Sequence, residues 1–166
     1  MGVKDKIRRK YGEKASALLE MVPEGLSPYV SDDLLTCIKT YGIDTVTEVL
    51  EREHFHKMDG KWGFTHLDAP CKALYRLKQL GEPEGETVKY DMKFSGRVQD
   101  VGFRATSHDY MNMLDLKGSA ENLPDGDVLV TVEGPQSRID LLKELLKEKF
   151  EISNIEETQA GRTVKA

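Results

Sequence analysis

The nine residues Gly96-Arg97-Val98-Gln99-Asp100-Val101-Gly102-Phe103-Arg104 constrain this chain more than any other stretch, because two hydrophobic periods meet across them. Before them, Val88, Tyr90, Met92 and Phe94 alternate with Lys89, Asp91 and Lys93, the period of two expected of a strand with one buried face. After them a helical pattern begins near Phe103. The segment between reads as a strand end, a turn with exposed amides and a helix start, which is a junction suited to an anion. Its N–H groups converge on one spot, the helix dipole adds partial positive charge, and Arg104 offers a planar fork matched to phosphate oxygens. The glycines let main chain approach a ligand closely.

The remaining pattern predicts a strand over 88–95, a helix over 103–115, strands over 117–122 and 127–133, a helix over 136–149 and a strand over 152–158. The second helix has the sharpest signature: Ile139, Leu142, Leu145, Leu146 and Phe150 share one face, opposite Lys143, Glu144, Lys147 and Glu148. This β-α-β-β-α-β order fits two split βαβ units, hence an antiparallel sheet with both helices on one face. The expected class is α+β, a ferredoxin-like α/β sandwich preceded by a small, mostly α-helical domain.

That preceding domain is read from residues 1–80. Ile7, Tyr11, Ala15, Leu18, Leu19 and Val22 predict one helix over 4–22, ended by Pro23 and Gly25. Ser31 is the expected cap of a second helix through Leu34, Leu35 and Ile38 to Gly42, and a third starts near Asp44. Asp59-Gly60 signals a small hairpin, and Asp68 with Pro70 opens a helix through Leu74 and Leu77 to Gly81. Residues 81–86 hold two glycines, a proline and three acids without an apolar side chain, the composition of a solvated linker. Residues 87–166 form the second domain.

Charge narrows the partners. Residues 1–85 carry 13 basic against 14 acidic residues and residues 86–166 carry 11 against 15, so neither half presents the basic footprint that nucleic-acid binding requires. The hairpin signal after helices suggests a winged helix, but no basic recognition face accompanies it. No apolar run reaches the roughly 20 residues that span a bilayer, and a cytoplasmic chain without membrane contact is expected. Cys37 and Cys71 fall in helical patterns, which points to reduced, buried thiols rather than a disulfide. His54, His56, His66 and Cys71 are the cluster with metal-ligand types, yet their spacing matches no zinc pattern, and no metal is expected. Trp62 and Phe64 read as packing residues.

The segment from Gly96 to Arg104 resembles the signature of the acylphosphatase family, Gly-Arg-Val-Gln-Gly-Val-Gly-Phe-Arg, at eight of nine positions. The elements downstream follow the same order, with the Leu114-Asp115-Leu116-Lys117-Gly118 helix exit, a strand ending in Asn122 and a turn at Asp125-Gly126. The resemblance covers about residues 87–160. It implies hydrolysis of acyl phosphates to a carboxylate and inorganic phosphate, without metal or cofactor. By the same resemblance Arg104 stabilises the phosphoryl oxygens, the amides of Gln99, Asp100, Val101, Gly102 and Phe103 complete a cradle, and Asn122 orients the attacking water. The helical domain is expected to serve as an accessory unit, with a protein partner as one role open to it.

Other readings stand beside these. Arg104 at a helix start and Arg97 at a strand end are also ordinary ion-pair partners, Asn122 is also a turn residue, and His108 reads as a solvent-facing helix histidine. Two departures from the family pattern matter. Asp100 stands where the family has glycine, and Ser119-Ala120-Glu121 stands where it usually places a tryptophan and a valine. A carboxylate about 6 Å from a bound anion repels it by roughly 3 kcal/mol at an effective dielectric near 20. Slowed turnover is therefore expected, and the alternative reading is an impaired module that binds anions or proteins. Aspartate tolerates the left-handed backbone of the turn. Beyond the last predicted strand little chain remains before Ala166 for the family's terminal strand.

Overall fold

The N-terminal helical pattern is interrupted in the computed structural model, which describes residues 2–52, 67–81 and 85–159. Helix α1 spans Val3–Tyr11, a 3₁₀ turn covers Gly12–Ala15 and α2 spans Ser16–Met21, where the sequence pattern predicts one helix. Gly12 supplies the break, at φ 60° and ψ −134°, a conformation that glycine adopts and L side chains avoid. Helix α3 runs Pro28–Tyr41, and its cap is Ser27 rather than the expected Ser31. The Ser27 hydroxyl accepts from the Val30 N–H at 3.2 Å, and Pro28 takes the first helical position, where an N–H has no helical partner to lose. Helix α4 is Ile43–Glu51 and α5 is Asp68–Leu80.

The chain divides into two compact units, Met1–Tyr75 and Arg76–Ala166. Ile7, Leu18, Leu34, Ile38, Val46, Val49, Leu67 and Leu74 are buried in the first. Cys37 and Cys71 are buried and free there, as their helical positions predict. Tyr41 donates to the Asp68 carboxylate at 2.8 Å, and burial together with that carboxylate pushes the phenol above its ordinary value. The expected hairpin at Asp59-Gly60, Trp62, Phe64 and the three histidines 54, 56 and 66 lie outside the described residues.

In the second unit β1 is Thr87–Arg97, α6 Phe103–Met113, β2 Lys117–Asn122, β3 Val128–Pro135, α7 Gln136–Lys149 and β4 Glu151–Gln159. The strands form one antiparallel sheet in the order β2-β3-β1-β4. Helix α6 packs on β2, α7 packs on β3, and the helices touch each other. This is the ferredoxin-like sandwich that the element order predicts.

Register follows from the alternation of side chains. Tyr90, Met92 and Phe94 oppose Val132, Val130 and Val128, and all three valines, Met92 and Phe94 are completely shielded from water. Each such side chain contributes about 1.5–3 kcal/mol on burial. The ring of Phe103 bridges Phe94 and Phe150, with centroids 5.1 and 5.0 Å away. Because Phe103 is the first residue of α6, this stack fixes where the helix starts relative to β1. No helix among the described residues is long and apolar enough to cross a membrane.

Candidate functional site

At its C-terminal end β1 changes register against β4 between Ser95 and Gly96. Gly96 has φ 123°, and a Cβ there would collide with the Glu151 carbonyl oxygen and approach the Ser153 nitrogen to 2.8 Å. Only glycine lets the bulge form, and the bulge re-aims the chain as it leaves the sheet. Val98, 1% exposed, anchors the departing segment in the core.

Two residues of the following turn adopt left-handed backbone, Asp100 at φ 62° and Gly102 at φ 83° and ψ 14°. Asp100 thus takes left-handed backbone at the position where the family pattern has glycine, and its side chain is exposed. Among the described residues, none of the amides of Gln99, Asp100, Val101, Gly102 and Phe103 donates to a protein acceptor. Unpartnered donors in a turn of alternating handedness, at the positive end of an 11-residue helix, are suited to an anion. The helix itself is tied in: Thr106 N–H donates to the Gly102 carbonyl at 3.0 Å, and the Ser107 hydroxyl to that of Phe103 at 2.7 Å.

Arg104, second residue of α6, is exposed and forms no ion pair among the described residues. Its five guanidinium donors are available to a ligand at the helix start. Arg97 is likewise exposed at the end of β1, and His108 is exposed on α6, as its place in the helix predicts.

Asn122 is the last residue of β2, opposite Val128, and is exposed. The turn after it is closed by Leu123 N–H donating to the Asp127 carbonyl at 2.8 Å and Gly126 N–H to that of Leu123 at 3.2 Å. Gln99 joins this turn to the amide-rich segment: its Nε2 donates to the Leu123 carbonyl at 2.8 Å and the Asp127 carbonyl at 2.9 Å. So the Gln99 main-chain N–H stays with the amide-rich turn while its side chain is committed to the turn 123–127.

Two residues whose role sequence reasoning missed, Lys93 and Ser95, brace the same turn. Lys93 Nζ lies 2.7 Å from Asp125 Oδ2 and 3.5 Å from Asp127 Oδ2, and the Ser95 hydroxyl donates to Asp127 Oδ2 at 3.0 Å. The hydrogen bond to Asp125 holds Lys93 above the ordinary lysine value, and Lys93 in turn holds the Asp125 carboxyl below its own. The strand alternation marks Lys93 and Ser95 as outward-facing, but only the register shows that they meet the turn. Among the described residues, no group of three or more His, Cys, Asp or Glu could share a metal ion.

The family model for acylphosphatase matches residues 90–165. Acylphosphatases of Methanocella arvoryzae and Thermus thermophilus are 38% and 44% identical to the chain, over 86% and 69% of their own lengths and 46% and 37% of this one. The structure of an acylphosphatase from Coxiella burnetii aligns with a TM-score of 0.44 and 27% identity, covering 52% of this chain and 94% of that one.

Proposed function

The chain belongs to the acylphosphatase family, and from that membership we propose that its C-terminal unit hydrolyses acyl phosphates, R–CO–O–PO₃²⁻, to a carboxylate and inorganic phosphate. The observation that supports the reading is the row of amides from Gln99 to Phe103, without a protein acceptor among the described residues, followed directly by Arg104, which has no ion pair among them. A carboxylate is a weak base and leaves readily, so the reaction needs positioning and charge stabilisation more than acid catalysis. Negative charge on the equatorial oxygens of the loose transition state is met by the amides and the guanidinium fork. Asn122 orients the water, its carboxamide accepting one hydrogen bond and donating another. The water oxygen bonds to phosphorus as the P–O bond to the carboxylate breaks, and one water proton passes to a phosphate oxygen of the substrate, giving the carboxylate and inorganic phosphate.

Asp100 slows this reaction through its negative charge, on our reading, while its left-handed backbone leaves the cradle formed. The helical unit serves as an accessory domain that recruits a protein partner. Two free, buried thiols fit a reducing compartment, and we place the protein in the cytoplasm on that ground.

Benzoyl phosphate hydrolysis without added metal tests the proposal. Turnover by the full chain that is lost in Arg104→Ala and in Asn122→Ala, with unchanged circular dichroism, is the expected result. Equal rates in the parent and both variants would remove the assignment.

A further inference from the structure

We infer that Gln99 is a positioning residue: its side-chain amide sets the turn 123–127 against the cradle and thereby fixes where Asn122 presents its carboxamide. The inference rests on the hydrolase reading above for its kinetic consequence, though the clamp itself is a matter of geometry.

An amide NH₂ has two hydrogens, and both are committed at hydrogen-bond distance, 2.8 Å to the Leu123 carbonyl and 2.9 Å to the Asp127 carbonyl. The remaining side-chain atom, Oε1, is an acceptor and has nothing to offer a phosphate oxygen. Of Gln99 only the main-chain N–H is left for an anion. Its side chain therefore acts on the turn, and the turn begins one residue after Asn122.

The geometry of the anchors shows why this matters. Lys93 and Ser95 hold the turn through the side-chain carboxylates of Asp125 and Asp127. Gln99 holds it by main-chain atoms, at both points where it leaves the strands. A carbonyl bonded directly to the preceding segment places backbone, whereas a bond to a carboxylate leaves side-chain torsions free to move. Gln99 follows β1, and Asn122 ends β2, with β3 between them in the sheet. The clamp thus spans the intervening strand to bring the two halves of the site into one register.

The same geometry makes the role testable. Both carbonyls keep a second donor, Gly126 N–H for Leu123 and Leu123 N–H for Asp127. Replacing Gln99 by methionine preserves length and leaves no orphaned acceptor, so the fold survives. In the full chain, Gln99→Met is expected to lower kcat on benzoyl phosphate by about 10- to 100-fold through misplacement of the water-orienting group. The KM and the inhibition constant for inorganic phosphate should move less than about 2-fold, since the amides and Arg104 are untouched. In an Asn122→Ala background the same substitution should cost less than about 2-fold, because the two residues act as one unit. A full loss retained in that background, or weakened phosphate inhibition that parallels the loss of kcat, would overturn the role. If the parent chain shows no turnover, the hydrolase reading alone fails. The clamp is then decided by ¹⁵N spectra, where Gln99→Met must shift the Asn122 side-chain amide and the backbone resonances of 123–127; unmoved resonances overturn it.

Discussion

Lys93 Nζ sits 2.7 Å from Asp125 Oδ2, and that contact links the central strand to the turn following Asn122. It makes a definite statement about pH. The Asp125 carboxyl is held below its ordinary value of 3.8, so its contribution to stability is complete above 3.8 and is lost as pH falls through the depressed folded value. Lys93 is held above its ordinary 10.5, so its contribution is complete below 10.5 and is lost as pH rises through the raised value. The stability difference between parent and Lys93→Met should therefore be flat between these limits and shrink on either side. Both groups are partly exposed, and added salt should reduce the plateau. Urea unfolding measured across pH decides the matter; a difference that varies through neutral pH contradicts the pairing.

Arg104 tests geometry against charge. Arg104→Ala should reduce kcat by about 10²- to 10³-fold, the cost of deleting one strong transition-state donor. Arg104→Lys retains the charge but not the planar fork, and most of that loss should remain. Because Arg104 is exposed and unpaired among the described residues, neither change should alter the melting temperature. A lysine variant with parental kcat would mean that a point charge suffices.

Asp100→Gly should accelerate acyl phosphate hydrolysis. The gain lies between about 3-fold, if water screens the carboxylate fully over about 6 Å, and about 100-fold at an effective dielectric near 20. Asp100→Asn separates charge from backbone, since asparagine also accepts the left-handed conformation. It should give most of the same gain, and rising ionic strength should narrow the gap between parent and variant. Equal rates for all three chains would show that the carboxylate does not sense the substrate.

Phe103→Ala removes the ring that lies between Phe94 and Phe150. Truncating a fully buried aromatic side chain costs about 3–5 kcal/mol, and here it also loosens the start of α6. Chemical denaturation should show that loss, and the ¹⁵N spectrum should show shifts across residues 99–104. A variant that loses stability with the turn resonances unmoved would separate the aromatic stack from the cradle.

Strand and helix periods were legible where one face is apolar, as in Val128, Val130 and Val132 or Ile139, Leu142 and Leu146. The strand-loop-helix junction was legible because an alternation of two gives way to a helical pattern around Gly96 and Gly102. The break at Gly12 was not, since apolar residues at helical spacing continue through it and periodicity carries no information about a single φ. The Ser27 cap was missed because Ser31 also precedes the apolar stripe; Pro28, with its fixed φ, decides between them. The clamp by Gln99 and the brace by Lys93 and Ser95 depend on which residues face each other across a folded turn. Such pairings arise from register and loop closure, which alternation within one segment does not encode.

The turn from Gln99 to Gly102 presents peptide nitrogens between a glycine bulge and an aromatic stack, so its backbone shape does not depend on the side chain at position 100. The group at position 100 can be exchanged without rebuilding the turn, provided the newcomer accepts the same backbone torsion. Exchange of that one residue then changes the charge held beside the turn while the backbone around it stays as it is.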